Sequence, residues 1–499
     1  LQCRRRAVDE LMKLSNANLN KLTDGIDLPG YDRTALTPGI LHIGVGNFHR
    51  AHQAIYLHRL FETGRDHDWA IIGAGVKPYD EAMRQRLAPQ DWLTTVVELD
   101  PAGYSATICG SMIDFCAIDA DKLVAAMARP EIRIVSLTVT EGGYYVDAKT
   151  GGFDAAHPDI IADAENPEHP TTVFGQIIAA LMARRAAGIA PFTVMSCDNL
   201  PENGHVARNA VIGLAERRSD DAAEWISANV AFPCGMVDCI TPATGPREIG
   251  IVAEKFGIED AAPVVCEPFR QWVLEDNFSM GRPALETVGV QFVADVAPYE
   301  LMKLRILNGG HAVIAYPAGL MGITYVHEAM ENPLVAGFLD KLEREEIMPA
   351  VPSIEGVSTE SYFRNCVERF SNPAVGDTIP RLCLDGSNRQ PKFILPTIDA
   401  RLSAGQPVDG LALESALWCR YCYGTTDAGA AIPPNDPNWD RLTAQAKLSK
   451  DTPQQWLKMT DIYGDLGDRP AFAEAFAAAL TALWQNGTEA TLTAYINGS

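Results

Sequence analysis

Lys303, Asn308 and His311 lie close together in one predicted helix, and their side chains could act jointly on a hydroxyl group. At 3.6 residues per turn they fall at about 0, 140 and 80 degrees around the axis, on one side of the helix. A largely neutral lysine can accept the hydroxyl proton, and burial in a cleft would favour that form because its reference pKa is about 10.4. Asparagine and histidine can stabilise the oxygen as it gains charge. The pattern therefore predicts the acid/base chemistry that oxidation of an alcohol requires.

The same three residues also fit a solvated helix face, where most lysines lie. Gly309 and Gly310 weaken a helix, so a purely structural role explains this segment less well. Glu300, one turn before Lys303, could oppose neutralisation of the lysine if its carboxylate approaches the ammonium. Spacing alone leaves both interpretations open.

Two Tyr-x-x-x-Lys matches, Tyr145 to Lys149 and Tyr299 to Lys303, share the helix pattern of short-chain dehydrogenases. Glycine pairs bracket the first match, so its spacing is not expected to fall on a helix. The second follows Pro298 in a first helical turn, but it comes far too late in the chain for a short-chain enzyme. Neither match assigns the protein to that class.

A metal site is poorly supported by the sequence. Cys419-Arg-Tyr-Cys422 is the only C-x-x-C pair, and no second pair or nearby histidine completes a zinc site. These two cysteines are predicted to be neighbours on a helix. We therefore expect no metal.

A candidate nucleotide-binding turn begins at Gly44-Val45-Gly46, directly after a predicted strand and before a predicted helix. Glycines there allow a tight turn and close approach of backbone amides to a pyrophosphate. His49 stands where the third glycine of the G-x-G-x-x-G pattern is expected, so the motif is incomplete. Phe48 and Arg50 are predicted cofactor contacts, although Arg50 and His52 would equally fit solvated helix positions.

Asp80 follows the second predicted strand and is the candidate for the ribose. A carboxylate there accepts hydrogen bonds from both ribose hydroxyls and repels a 2′-phosphate, which favours NAD over NADP. Asp80 lies further from the first glycine than the usual spacing of about 20 residues. Capping of the next helix is the alternative role.

The composition excludes several classes of function. The formal charge of −23 would repel a phosphate backbone, and no apolar run is long enough for a membrane span. The arginines at positions 4–6 are followed by no apolar stretch of a secretory signal. Eleven scattered cysteines suggest reduced thiols and a cytoplasmic protein. We expect neither nucleic acid nor membrane as partner.

With 499 residues the chain is long enough for two domains, and its patterns change near residue 295. Before that point short strands alternate with helices, which predicts a mostly parallel sheet in an α/β domain at 1–294. After it, alanine- and leucine-rich segments predict a mainly α-helical domain at 295–499. The predicted elements are strands at 41–46, 68–76, 131–140, 192–199 and 262–268, and helices at 48–64, 172–188, 298–308, 332–348 and 470–487.

Seven segments resemble one family, the polyol-specific long-chain dehydrogenases. They are GVGNFHRAHQA at 44–54, IVSLTVTEGGY at 134–144, SCDNLPENG at 196–204, FPCGMVDCITP at 232–242, CEPFRQWVLED at 266–276, KLRILNGGHA at 303–312 and DGSNRQPKF at 385–393. The resemblance covers nearly the whole chain. It implies a Rossmann-type N-terminal domain, a mainly helical C-terminal domain, a catalytic lysine, NAD and no metal.

The resemblance also implies roles for individual residues. Lys303 would be the acid/base, Asn199 and Asn308 would hold the reacting oxygen, and His311 would orient substrate and lysine. Four residues match positions that line the polyol site, namely Val237, Asp238, Arg381 and Arg389. The match likewise supports Gly44, Gly46 and Asp80 as cofactor contacts. Because Asn199 comes from the other domain, the chemistry is expected at the domain interface.

Three positions depart from the family pattern. Cys239 stands where the signature Val-Asp-Arg-Ile has arginine, and Arg389 replaces a substrate-contacting lysine. Tyr79 replaces an acidic residue of some relatives, which leaves NADP tolerance open. Cys239 and Arg389 lie at or beside the predicted polyol site, so these departures bear on substrate preference rather than on reaction type.

The expected reaction is reversible oxidation of a polyol, D-mannitol to D-fructose, by a monomer with a small polyol or ketose as its only partner. A fructuronate reductase-type enzyme is the nearest alternative, in which Arg381 and Arg389 would hold a carboxylate. Arabinitol or sorbitol could also be the substrate. A nucleotide sensor without catalysis is disfavoured, because a sensor need not keep a proton acceptor.

Overall fold

The computed structural model describes residues 11–22, 25–147 and 150–498. The arginines at positions 4–6 and Lys149, part of the first Tyr-x-x-x-Lys match, lie outside the described residues. Two compact units meet along the chain between Ala297 and Pro298. Each unit is described by itself below.

All strands lie in the first unit. They are β1 (Met12–Lys13), β2 (Ile26–Asp27), β3 (Pro38–Ile43), β4 (Ala70–Ala74), β5 (Thr94–Glu98), β6 (Ser105–Cys109), β7 (Met112–Phe115), β8 (Ile134–Leu137), β9 (Thr193–Ser196), β10 (Gly235–Asp238), β11 (Ile258–Glu259), β12 (Val264–Cys266), β13 (Gln271–Glu275) and β14 (Gln291–Val293). No strand of the described residues lies in the second unit.

Five strands form a parallel sheet in the order β7-β4-β3-β8-β9. In order along the chain this is third-second-first-fourth-fifth, the arrangement of the Rossmann fold. The strands are buried almost throughout, as expected where helices cover both faces of a parallel sheet. The strand order reverses between β3 and β8, which is where such sheets bind ligands.

Three smaller sheets complete the first unit. Their orders are β12-β5-β6-β2, β10-β13-β14 and β1-β11. In the second of these, β10 pairs antiparallel with β13, so that Val237 faces Trp272 and Asp238 faces Gln271 along the ladder.

The helices of the first unit connect and cover these strands. They are α1 (Asn47–Ala51), α2 (Gln53–Glu62), α3 (Asp80–Leu87), α4 (Ala120–Ala128), α5 (Pro158–Glu165), α6 (Val173–Ala186), α7 (Asn203–Glu216), α8 (Asp220–Asn229) and α9 (Pro246–Phe256), with α10 (Ala297–Met302) crossing into the second unit. Short 3-10 helices occupy Asn16–Lys21, Arg33–Ala35, Ala88–Gln90, Glu141–Tyr144 and Leu285–Val288.

The described part of the second unit is helical. Its α-helices are α11 (Gly309–Leu320), α12 (Val326–Glu331), α13 (Pro333–Leu342), α14 (Thr359–Phe370), α15 (Ile379–Leu382), α16 (Gly386–Phe393), α17 (Leu395–Ser403), α18 (Asp409–Cys422), α19 (Trp439–Ser449), α20 (Gln454–Leu457), α21 (Thr460–Tyr463) and α22 (Pro470–Asn497). Lys303–Asn308 and Glu343–Ile347 are π-helical, and Met348–Ala350 and Leu466–Asp468 are 3-10. Helices α11 and α18 pack against each other and are buried along most of their length in one apolar core.

The fold class predicted from the sequence is confirmed. Each predicted strand and helix has a counterpart, but the helices at 298–308 and 332–348 are each interrupted by a π-helical segment. A regular period of 3.6 residues cannot reveal such a segment, because only the hydrogen-bond register changes. Cys419 and Cys422 lie on α18, as predicted.

Two further observations concern the described residues only. None of their helices is both long and apolar enough to cross a membrane. None of their His, Cys, Asp and Glu side chains form a group of three or more that could hold a metal ion.

Glu414 makes the stability of the second unit depend on pH. Its carboxyl is fully buried on α18 and accepts a hydrogen bond from the Gln390 side chain at 2.6 Å. Burial raises its pKa from 4.5 to about 8, although that hydrogen bond opposes the shift. The folded state therefore holds a proton that the unfolded state releases, and stability falls as pH rises from about 4.5 to about 8.

We predict that Glu414→Gln removes part of this loss. Between pH 5 and 8 the variant should lose less stability than the parent protein, by an amount on the order of 2 kcal/mol. Melting temperatures across this range are the measurement. Glu474→Gln, on an exposed face of α22, is the control and should follow the parent curve. Parallel curves for the parent and Glu414→Gln would contradict the assignment.

Candidate active site

The turn after β3 is built on a close backbone approach. Gly44 has φ +100, and a Cβ atom placed on it would stand 2.0 Å from the carbonyl oxygen of Thr138, the residue that follows β8. Any other residue would therefore collide with backbone as well as adopt a strained conformation. The Gly46 N–H donates to the Gly44 carbonyl at 2.7 Å, which tightens the turn.

His42 and Thr138 hold the Gly44 carbonyl from the interior. The Thr138 hydroxyl donates to it at 2.6 Å, and His42 Nε2 lies 3.1 Å from it. Because a carbonyl only accepts, Nε2 carries the proton, and Nδ1 accepts from the Ser136 hydroxyl at 2.8 Å. Burial lowers the pKa of His42 to about 3, so the ring is neutral. Two uncharged donors, the His42 ring and the Thr138 hydroxyl, therefore hold the turn in place.

Arg50 supports the same turn from inside the protein. Its guanidinium donates to the Ala262 carbonyl, to the Asn47 side chain at 2.9 Å and to the Gly46 carbonyl at 3.3 Å. Arg50 and His52 are both buried, so the alternative that they are solvated helix residues is wrong. Phe48 is half-buried and stacks on His52, with ring centroids 4.9 Å apart.

Asp80 lies at the start of α3, where its carboxylate caps the preceding turn. Oδ2 accepts from the backbone N–H groups of Val76 and Lys77, both at 2.9 Å. The carboxylate also packs on Gly75, where a Cβ atom would stand 2.5 Å from Oδ2. Asp80 therefore binds the turn before α3 and does not cap the helix itself, whose N-cap is Tyr79, and the ribose role stays a prediction.

A buried carboxylate organises the turn that carries Asn199. Asp198 accepts from the N–H groups of Val139 and Thr140 at 2.9 and 3.0 Å, and from the Tyr144 hydroxyl at 2.7 Å. Burial raises the pKa of Asp198 against the opposing effect of these bonds. Thr140 has φ +67, a strained conformation for threonine that costs about 1–3 kcal/mol. Asn199 itself is exposed beside this anchored residue.

Val237 and Asp238 end strand β10, and both are buried. The side chain of Asn203 joins this strand to the Asp198 turn, because its amide donates to the carbonyls of Asp198 at 3.0 Å and Gly235 at 2.7 Å. The Gly235 N–H returns a hydrogen bond to Asn203 at 2.9 Å. The structure therefore links the Asn199 turn to the strand that carries Asp238.

In the second unit, Lys303 and Asn308 are the two ends of one π-helical segment. A π-helix closes hydrogen bonds between residues five apart, so each turn holds more residues than in an α-helix. Residues five apart therefore lie closer to one face than the roughly 140 degrees of regular α geometry. Lys303 is buried, with 7% of its surface exposed, and so is Glu300 one turn earlier. The angle predicted between Lys303 and Asn308 is therefore wrong, and the shared polar face stays a prediction.

Gly309 and Gly310 begin α11 and allow close packing behind that face. A Cβ atom on Gly310 would stand 3.3 Å from both Glu343 Oε1 and the Phe370 ring. The His311 ring packs on Phe370 with centroids 4.4 Å apart. Glycine lowers the stability of a helix. In return, Gly310 allows the helix to pack closely against Glu343 and Phe370, next to His311.

The Asp377 carboxylate interacts with both Arg381 and His311 in the second unit. Its carboxylate accepts from the Arg381 guanidinium one turn later. Burial would raise its pKa, but the hydrogen bonds and charge of Arg381, together with the charge of His311, lower it. Arg389 donates to the Leu382 carbonyl at 3.1 Å, so both arginines lie around the short helix α15.

The structure thus brings the predicted residues together within each unit. Gly44, Gly46, Phe48 and Arg50 share one turn and helix start, and the Lys303 segment packs against α16, which carries Arg389. Sequence reasoning missed the residues that fix these positions, namely His42, Ser136, Thr138, Asp198, Asn203 and Asp377. The placement of Asp198 directly before Asn199 was a usable signal, while the others have partners distant in sequence.

The sheet order and the glycine turn at its switch point define a dinucleotide-binding protein of the Rossmann type. Two family models match the chain, the mannitol dehydrogenase Rossmann domain at residues 38–287 and the mannitol dehydrogenase C-terminal domain at residues 295–484. The chain therefore belongs to the mannitol dehydrogenase family, and the resemblance found in the sequence is confirmed.

Individual relatives support the same assignment. A mannitol 2-dehydrogenase of Cereibacter sphaeroides is 60% identical over 95% of this chain and 100% of its own length. The structure is similar to a ternary complex of Pseudomonas fluorescens mannitol 2-dehydrogenase with NAD and D-mannitol, with a TM-score of 0.86, 42% identity and coverage of 98% and 100% of the two chains. It is also similar to a D-sorbitol dehydrogenase, with a TM-score of 0.90, 34% identity and coverage of 96% and 100%.

Gly44 and Gly46 differ in what a side chain would meet, and this difference can be tested. Gly44→Ala collides with Thr138, whereas a Cβ atom on Gly46 meets only the Gly44 carbonyl at 3.9 Å. We predict that Gly44→Ala is destabilised by about 1–3 kcal/mol or more through backbone strain, while Gly46→Ala keeps the parental melting temperature. Gly46→Ala should nevertheless bind NADH more weakly, because the turn must admit a pyrophosphate. Equal melting temperatures for both variants would contradict this account.

Proposed function

We propose that this NAD-dependent polyol dehydrogenase oxidises D-mannitol to D-fructose, reversibly, with Lys303 as the general acid/base. The observation that carries the proposal is the π-helical segment that begins at Lys303 and ends at Asn308, followed by the helix that carries His311. Lys303 is also buried, with 7% of its surface exposed, so that its amine is largely shielded from bulk water.

We assign a separate role in the reaction to each of the predicted catalytic residues. Lys303 accepts the proton of the substrate hydroxyl, and in the reverse direction the lysinium donates it. Asn199 and Asn308 donate hydrogen bonds to the reacting oxygen as it gains negative charge. His311 orients the substrate and the lysine. NAD, when bound, supplies the hydride acceptor.

Val237, Asp238, Arg381 and Arg389 are proposed to line the polyol site. The Arg381 guanidinium is compensated by Asp377, and Arg389 donates to backbone carbonyls. This arrangement favours a neutral polyol over a uronate, because a substrate carboxylate would compete with Asp377 for Arg381. The names of the relatives favour D-mannitol, and D-sorbitol is the alternative among neutral polyols.

The residues around the first turn suit the cofactor. Gly44 and Gly46 leave the space that a pyrophosphate needs at the strand-to-helix turn, and α1 begins directly after them. Phe48 lies next to this turn. The buried Arg50 side chain donates a hydrogen bond to the Gly46 carbonyl within it. Asp80 is proposed to accept from the ribose with the carboxylate oxygen that does not bind the turn.

The proposal extends to organisation and location. We assign cofactor binding to residues 1–294 and substrate binding and catalysis mainly to residues 295–499, a division close to the break after Ala297. We further propose that the protein acts as a monomer in the cytoplasm.

Replacement of Lys303 tests the mechanism. We predict that Lys303→Ala lowers turnover of D-mannitol by about two orders of magnitude or more, because proton transfer by a positioned group contributes roughly this much. NADH binding, followed by fluorescence, should be unchanged. Lys392→Ala, which removes an exposed lysine of α16, is the control and should retain parental turnover. Near-normal turnover of Lys303→Ala would end the assignment.

Replacement of Asp80 tests cofactor choice and separates its two roles. We predict that Asp80→Ala loses its preference for NAD over NADP, because the charge that repels the 2′-phosphate is gone. Asp80→Asn keeps an acceptor for the Val76 and Lys77 N–H groups, so it should keep the melting temperature but lose the same preference. The ratio of kcat/KM values for NAD and NADP is the measurement. Unchanged selectivity in both variants would refute the ribose role.

A further inference from the structure

Cys239 and Cys266 form a contact that the dehydrogenase chemistry does not use. Cys239 follows Asp238 at the end of β10, and Cys266 is the last residue of β12. Both are free thiols in one apolar cluster, with 7% and 0% of their surfaces exposed. The segments that carry them adjoin, because the Glu267 N–H donates to the Ile240 carbonyl at 3.0 Å.

A buried cation stands beside this pair of sulfurs. The Arg270 guanidinium donates to Cys266 Sγ at 3.1 Å and is held in place by the Ala51 carbonyl at 2.6 Å and the Glu98 carboxylate. Only 2% of the Arg270 side chain is exposed, so its charge is poorly screened by water. A guanidinium in this position stabilises a thiolate over a thiol.

The pKa of Cys266 is shifted in the opposite direction from the pKa of six other cysteines. The hydrogen bond from Cys239, together with the charge of Arg270, lowers the pKa of Cys266 against the effect of burial. Burial instead raises the pKa of six other cysteines, Cys109, Cys116, Cys197, Cys383, Cys419 and Cys422. Reactivity of thiols follows the thiolate, so Cys266 is distinguished from these six.

We propose that Cys239 and Cys266 are a redox-modification site, in which a hydroperoxide converts two adjacent thiols into a reversible disulfide. The Cys266 thiolate attacks one peroxide oxygen, the O–O bond breaks, and a sulfenic acid and hydroxide form. The Cys239 thiol then attacks the sulfenic sulfur, an S–S bond forms, and water leaves with the Cys239 proton. Two thiols are oxidised and one hydroperoxide is reduced, so atoms and electrons balance.

The disulfide would act on the strand that carries Asp238. Forming it joins the two sulfurs by an S–S bond of about 2.05 Å, which draws the end of β10 towards β12. It also removes the thiolate partner of Arg270. The effect on activity rests on the proposed role of Val237 and Asp238, whereas formation of the disulfide does not.

Peptide mapping tests the site directly. The purified full chain is treated with hydrogen peroxide, the remaining thiols are alkylated, and the peptides are identified by mass spectrometry. We expect a peptide pair joined through Cys239 and Cys266, lighter by two hydrogen atoms and restored by dithiothreitol. The joined pair should precede oxidation of Cys116, which is more exposed but has a raised pKa. Oxidation of Cys116 while Cys239 and Cys266 stay reduced would overturn the proposal.

Kinetics with matched variants test its consequence. Untreated Cys239→Ser and Cys116→Ser proteins should keep dehydrogenase activity. Under peroxide, Cys239→Ser should lose activity in a way that dithiothreitol no longer reverses, while the parent and Cys116→Ser are inactivated alike and recover. Cys239→Ala serves as a second variant if the serine variant is unstable. Formation of the joined pair with full activity would keep the site but contradict its coupling to β10, and equal recovery of all variants would overturn it.

Discussion

The first unit depends on one close approach, between the backbone of Gly44 and the carbonyl of Thr138. These residues follow β3 and β8, the two strands at which the sheet order reverses. Without a Cβ atom, the turn after β3 can pass directly against the end of β8. His42 and Thr138 then hold the Gly44 carbonyl, so the two strand ends are tied by hydrogen bonds as well as by packing. The turn at the switch point is therefore already ordered without a ligand. Less conformational entropy is lost when a ligand binds there.

Buried polar groups fix the positions of the exposed ones around both parts of the site. Asp198 is buried and satisfied by backbone and hydroxyl donors, and it anchors the exposed Asn199 next to it. Glu343 is a different case, because it is fully buried beside Gly310 and neither carboxyl oxygen has a hydrogen-bond partner among the described residues. Burial raises the pKa of Glu343 well above its ordinary value, so the group is a neutral acid. The Glu343 side chain therefore adds a polar group close to Gly310 and His311 but no negative charge.

The sequence was sufficient for the parts of the fold that local patterns determine. The strand, glycine turn and helix at 41–64 and the alternation of strands and helices predicted the parallel sheet, because period and turn chemistry are local properties. The burial of Arg50 could not be predicted, since its partner Ala262 lies far along the chain. The π-helical segment at Lys303–Asn308 was missed for another reason. It inserts no characteristic residue, and a helix template with a fixed period of 3.6 assigns the same residues to the wrong angles.

Cys239, which stands where the family signature has arginine, lies in a buried and charged part of the first unit. Cys239 and its partner Cys266 adjoin three carboxylates, those of Asp238, Glu98 and Glu267. A buried region with this many acidic groups needs a positive charge, because unpaired charges are costly away from water. Arg270 provides it from the segment before β13, and its guanidinium binds Glu98 and Cys266 together. Arg270 therefore places a buried positive charge beside these groups, although position 239 itself carries none.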